Sequence, residues 1–185
     1  VALLIGATEA AFVMFLVARP RVVALRGSPP YGWALGLGIG SMQACVLIVR
    51  LFDTGLSYSE YSGLNPFSIL LAFAISITSG LGHALPASWQ GAKVLESSRF
   101  RPFLLSSIAR AALIVCLVLS LFVPLLLLAA IPAIALAWGP AQMTWLPAGM
   151  TPAAKQAFRR TKRQSDKHRK ASYERIVGTP VDSEE

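Results

Sequence analysis

The reading of the fold turns on FLLSSIARAALIVCLVLSLFVPLLLLAAIPAIALAWGPAQMTWL, residues 103–146, a run that carries a single charge, Arg110. As one helix it would be roughly 65 Å long at ~1.5 Å per residue, about twice the ~30 Å hydrocarbon thickness of a bilayer. Pro124 lies near its middle, and a residue without an amide hydrogen cannot continue a helix cleanly. The run therefore divides into two spans, at about 104–123 and 125–146, with Pro132 expected to kink the second. The competing division is one kinked span followed by a re-entrant or interfacial segment. The apolar residues are continuous rather than alternating, which argues against a transmembrane barrel.

Working outward, further apolar runs place spans at about 1–18, 31–52 and 67–88. Ser28-Pro29-Pro30 reads as a break before the second of these, and the third ends near Pro86 or Trp89. Glu9 interrupts the first run, no basic segment precedes it, and Ala18-Arg19-Pro20 is a poor cleavage site. It is read as a retained span rather than a signal peptide. The expected fold class is all-α: a polytopic transmembrane helical bundle of about five spans over residues 1–146, with a basic cytoplasmic C-terminal helix within 151–185.

Composition agrees with that class. Of 185 residues, 55% are hydrophobic and only 14% charged, too few charges for an ordinary soluble domain. The net charge of +8 reads as positive-inside bias rather than a nucleic-acid footprint. Arg19, Arg21 and Arg26 follow the first run, Lys93, Arg99 and Arg101 follow the third, and nine of the seventeen Lys and Arg lie after Thr151. The segment between the second and third runs holds Asp53, Tyr58, Glu60 and Tyr61 but no Lys or Arg. Five spans put all three basic segments in the cytoplasm, with the N-terminus outside; four would strand one of them. Trp33, Trp89, Trp138 and Trp145 fall near the expected interfaces. Arg exceeds Lys and Ala, Leu, Val and Gly are abundant, an actinobacterial-like, high-GC composition; together with the apolar spans it makes a bacterial inner membrane the expected location.

Small residues recur every four positions: Gly32, Gly36, Gly40 and Ala44 in the second run, Ala72, Ser76, Gly80 and Ala84 in the third, and Ala129, Ala133 and Ala137 in the fifth. Such stripes let helix backbones approach closely where lipid removes the hydrophobic drive between helices. They serve either packing within the chain or docking of one stripe, that of the second run, onto another subunit. Cys45 and Cys116 sit in apolar runs with no CxxC spacing and are read as small apolar core residues.

The intramembrane polar residues are the candidate site. Charges there are costly, so they find partners. Glu9 and Arg110 lie at similar depths and are expected to pair, and His83, in SGLGHALP, is placed to join them. Arg50, at the end of the second run, snorkels. The cluster is either an ion pair that fixes helix register, within the chain or across subunits, or part of a proton or substrate path. No HExxH, Walker A or GxSxG pattern occurs. A single intramembrane histidine does not make the pair that haem between helices commonly uses. No cofactor, metal or catalytic activity is expected.

Thr151-Pro152 starts a helix, with Thr as N-cap and Pro at the first helical position. It carries Lys155, Arg159, Arg160, Lys162, Arg163, Lys167, Arg169, Lys170 and Arg175, and its large apolar residues are too sparse for a deep membrane-buried face. Anionic lipid headgroups or an acidic partner fit it better than nucleic acid. The acidic end, Asp182-Ser183-Glu184-Glu185, is expected to be disordered. The functional expectation is a small accessory or structural subunit of a larger bacterial membrane complex, most plainly a transport assembly such as an ABC-type lipid importer. Its partners would be other membrane subunits. The alternative is a small homo-oligomeric transporter or channel using Glu9, His83 and Arg110, though no internal repeat is evident. A third reading is an integral-membrane enzyme acting on lipids.

Overall fold

A computed structural model describes residues 1–53, 55 and 61–177. Tyr58, Glu60 and the acidic end lie outside the described residues. Among those described there is no strand. The helices are α1 (Ala2–Val17), α2 (Pro20–Ala24), α3 (Ser28–Phe52), α4 (Pro66–Leu95), α5 (Phe100–Ser120), α6 (Ala130–Pro140) and α7 (Pro152–Val177). Four helical segments are long and apolar enough to cross a membrane: Ser28–Phe52, Pro66–Leu95, Phe100–Ser120 and Pro124–Gly149. The apolar α1 is shorter, at 16 residues. The fold is thus an all-α transmembrane bundle of these four segments with α1 packed beside them.

The chain divides into two compact units, Val1–Gly149 and Met150–Glu185. In the first, α3 packs on α4 and α1 on α5. One core cluster gathers Leu47, Leu51, Leu71, Ile75, Leu117 and Leu127, and a second gathers Val13, Val17, Ala87 and Val94. The second unit is built on α7. Its start is capped by Thr151, whose hydroxyl accepts the Ala154 amide at 3.3 Å. On its surface Arg169 pairs with Asp166 at 3.3 Å and Lys170 with Glu174 at 3.7 Å.

Several expected boundaries move, each for a physical reason. Ser28, Pro29 and Pro30 do not precede α3 but form its first turn, where a missing amide hydrogen costs nothing. The Ser28 hydroxyl donates to the Val17 carbonyl at 2.8 Å and ties this turn to the end of α1. The basic segment between them holds the short helix α2 rather than a plain loop. Helix α4 starts in a capping box, Asn65 accepting the Ser68 amide at 2.8 Å while the Asn65 amide donates to the Ser68 hydroxyl at 3.0 Å.

It then runs through Pro86 to Leu95, well past the expected end. Neighbouring helices hold the turns beyond the proline: Gln90 donates to the Ala10 carbonyl at 3.2 Å, and Val94 is buried with Val13 and Val17. The fifth segment opens as a 3-10 turn at Pro124–Ala129, so Pro132 falls in the first turn of α6, where it breaks little. The irregularity comes instead at Pro140, after which the chain passes through a π turn, Ala141–Trp145, and a 3-10 turn, Leu146–Gly149.

All four tryptophans gather at one end of the bundle. Trp33 meets Trp138 edge-on at 6.0 Å, and Trp89 meets Trp145 at 6.4 Å. Arg26 and Gly149 meet at the same end, the carbonyl of Arg26 lying directly against Gly149. The basic segments after α1 and α4 therefore share a face with the end of the first unit. Cys45 is exposed and Cys116 half-buried, both free thiols, so neither is the core residue expected.

Candidate functional site

The stripe of α3 brings the site's helices together. A methyl group added at Gly36 would stand 2.5 Å from the Ala84 Cα and from the His83 carbonyl oxygen. At Gly40 it would stand 2.5 Å from the Ser79 carbonyl oxygen and 2.8 Å from the Gly80 Cα, and at Gly32 it would run into the Ala87 carbonyl oxygen. At that separation the Ser79 hydroxyl reaches across to donate to the Gly40 carbonyl at 2.8 Å. Ala44 and Ala72 continue the contact in the core. The glycines of the α3 stripe thus pack on α4 within the chain. Ser76 turns aside and donates to the Ala72 carbonyl at 2.8 Å. Gly6 does for α1 and α5 what Gly36 does for α3 and α4: a methyl there would lie 2.7 Å from the Ser107 carbonyl oxygen. The fifth-segment stripe, Ala129, Ala133 and Ala137, lines an apolar groove of about 440 Å³ with Pro86, Trp89 and Ala109.

These contacts enclose the polar cluster. His83 on α4 and Arg110 on α5 are fully buried, and Glu9 on α1 keeps 19% of its side-chain surface exposed. The Glu9 Oε2 stands 3.2 Å from His83 Nδ1, outside hydrogen-bonding directions, so neither atom has a hydrogen-bond partner. The other ring nitrogen, Nε2, makes a short hydrogen bond to Gln43 Oε1 of α3. The His83 ring thus lies between the Gln43 amide on one side and the Glu9 carboxyl group on the other.

Arg110 does not form the expected pair with Glu9; no ion pair joins them within 4.0 Å. Its Nη2 donates to Gln90 Oε1 at 3.5 Å, and Gln90 in turn holds the Ala10 carbonyl. The reason is angular. Ala10 lies one residue round α1 from Glu9, so Gln90, with Arg110 behind it, meets one side of the helix while Glu9 turns to His83. The Nε and Nη1 of Arg110 have no hydrogen-bond partner.

The sequence reading missed Gln43 and Gln90, the two amides that bridge the cluster to α3 and α1. The available signal was Gln43 within the second apolar run and Gln90 just past the expected end of the third. Arg50, read as a snorkelling residue, lines an open cavity of about 430 Å³ together with Glu9 and Gln43. The cavity lies between α1, α3 and α5, and its remaining walls are apolar, among them Ile5, Leu47 and Val118. No family model, no curated protein and no solved structure matches the chain.

Proposed function

We propose that the chain is a proton-handling component of a bacterial transport assembly, with Glu9 and His83 as the pair that takes up and releases a proton within the membrane. One observation carries this reading: Glu9 touches the buried His83 on one side and opens on the 430 Å³ cavity on the other. A charged cluster kept only for stability gains little over well-packed apolar residues, because desolvation offsets its Coulomb attraction. A carboxyl group that meets both a buried imidazole and an open cavity has a route for proton exchange. The positive-inside bias supports an orientation with the basic end of the bundle in the cytoplasm and the N-terminus outside, in a bacterial inner membrane.

The test is proton flux into liposomes holding the purified full chain and an internal pH-sensitive dye, driven by a potassium diffusion potential. The wild-type chain conducts, while Glu9→Gln and His83→Phe fall to the level of empty liposomes. Wild-type flux equal to that of empty liposomes rejects the reading.

A second reading, an accessory subunit that stabilises a larger complex such as a lipid importer, is favoured by α7. This helix of 26 residues forms the body of a unit of its own and is strongly basic, so it suits an acidic subunit or anionic headgroups. Under it, Glu9→Gln weakens recovery of co-purifying membrane subunits in mild detergent. Under the first reading, the same variant leaves recovery intact and removes flux.

A further inference from the structure

The cavity that reaches Glu9 has a charge pattern of its own. Its lining holds one carboxylate, Glu9, and one guanidinium, Arg50; the other polar side chain is Gln43, already engaged by His83. Glu9 lies level with Gln43, since both meet the His83 ring, and Arg50 lies seven residues further along α3. At ~1.5 Å per residue the two levels are about 10 Å apart. No ion pair within 4.0 Å joins Glu9 to Arg50, so the two charges do not satisfy each other across the cavity. Between them the walls are apolar, with Leu47, Ile114 and Val118 among them.

We infer that this cavity binds a linear zwitterion, an amine and a carboxylate joined by an apolar chain, with the amine on Glu9 and the carboxylate on Arg50. A simple cation would share the cavity with the Arg50 guanidinium, and a simple anion would share it with the Glu9 carboxylate. A molecule carrying both charges meets an opposite charge at each end and buries its chain against the walls between. The volume, about 430 Å³, falls in the ordinary range for small-molecule sites. The inference rests on the proposed role of Glu9 as the group that gives up its proton, since a neutral carboxylic acid offers an ammonium group no opposite charge. Ligand and proton then compete for the same oxygen atoms, which is the coupling that a proton-linked carrier requires.

Calorimetric titration of the full chain in neutral-lipid nanodiscs tests this with 8-aminooctanoate, whose extended chain matches the separation of the two levels. Octylamine and octanoate, each lacking one charge, are the comparisons. The zwitterion is expected to bind at least tenfold more tightly than either. Arg50→Gln should reduce its affinity to that of octylamine, and Glu9→Gln to that of octanoate. Equal or tighter binding of octylamine or octanoate overturns the inference, as does an Arg50→Gln variant that binds the zwitterion as wild type does. The proton-flux assay on the same preparation separates the two claims. Glu9-dependent flux without zwitterion binding overturns the inference and leaves the proposed function standing. Charge-selective binding without flux overturns the transport reading alone.

Discussion

Arg110 has the least satisfied side chain in the described bundle: fully buried, with one hydrogen bond from Nη2 and none from Nε or Nη1. A buried charge stripped of its remaining partner costs more than the pair is worth, because the desolvation is not recovered. Gln90→Leu is therefore expected to destabilise the protein by about 1–3 kcal/mol, the cost of leaving a buried polar group unmatched. Arg110→Met removes the charge but keeps an apolar stem of similar reach. The double variant should consequently be more stable than the sum of the single changes predicts, by about 0.5–3 kcal/mol of coupling. Unfolding in mixed detergent micelles measures all three, and strict additivity would show that Arg110 and Gln90 do not act together. Sequence alone reveals that Glu9, His83 and Arg110 are intramembrane, because a charge in an apolar run is conspicuous. It does not reveal which of them touch. Glu9 and Ala10 are adjacent in the chain yet meet different partners, and that difference is set by helix rotation, which no spacing encodes.

Helix pairing was more legible, since glycine every fourth residue has one strong mechanical meaning: a backbone is to come close. Gly32, Gly36 and Gly40 lie against the α4 backbone, while Gly38, on the same helix, has nothing within 4 Å of the position a methyl would take. The two residues make a controlled comparison. Gly36→Leu is expected to cost about 1–3 kcal/mol or more by overpacking, because the obstacle is backbone and cannot rotate away. Gly38→Leu should change stability by less than about 0.5 kcal/mol, as surface substitutions usually do. Equal thermal inactivation of the two variants in detergent would mean that α3 does not meet α4 along this face. What the stripe could not say was whose backbone would approach, and an intersubunit role was as consistent with the spacing as the internal one observed. Prolines were misleading in both directions. Pro86 looked like a stop, but Gln90 and Val94 anchor the turns beyond it. Pro132 looked like a kink and sits harmlessly in a first turn, whereas Pro140 precedes the π turn.

The first unit has a polarity of its own, since its tryptophan pairs and the Arg26–Gly149 contact share one end. If that end is cytoplasmic, a cysteine at position 60, in a chain lacking Cys45 and Cys116, reacts with an impermeant maleimide added outside intact cells. Labelling only after the cells are opened would invert the topology. Helix α7 belongs to the second unit. Between Pro152 and Val177 it carries nine Lys and Arg against Asp166 and Glu174, and its own ion pairs are exposed ones that contribute little. A helix this polar has no apolar face deep enough to insert, so any attraction to a membrane is electrostatic, at ~1 kcal/mol per basic residue near an anionic surface. Such attraction has a definite salt signature, since the Debye length falls from about 10 Å at 0.1 M to about 3 Å at 1 M. Trypsin should therefore cleave between Arg159 and Lys170 several-fold more slowly in nanodiscs of anionic lipid than in nanodiscs of neutral lipid. The difference should vanish at 1 M salt, and charge reversal at Arg159, Arg160 and Arg163 should abolish it at low salt. Equal cleavage on both lipids at low salt would assign the basic helix to a protein partner instead, because a surface that does not hold the tail in the absence of competitors cannot be what its charge is for.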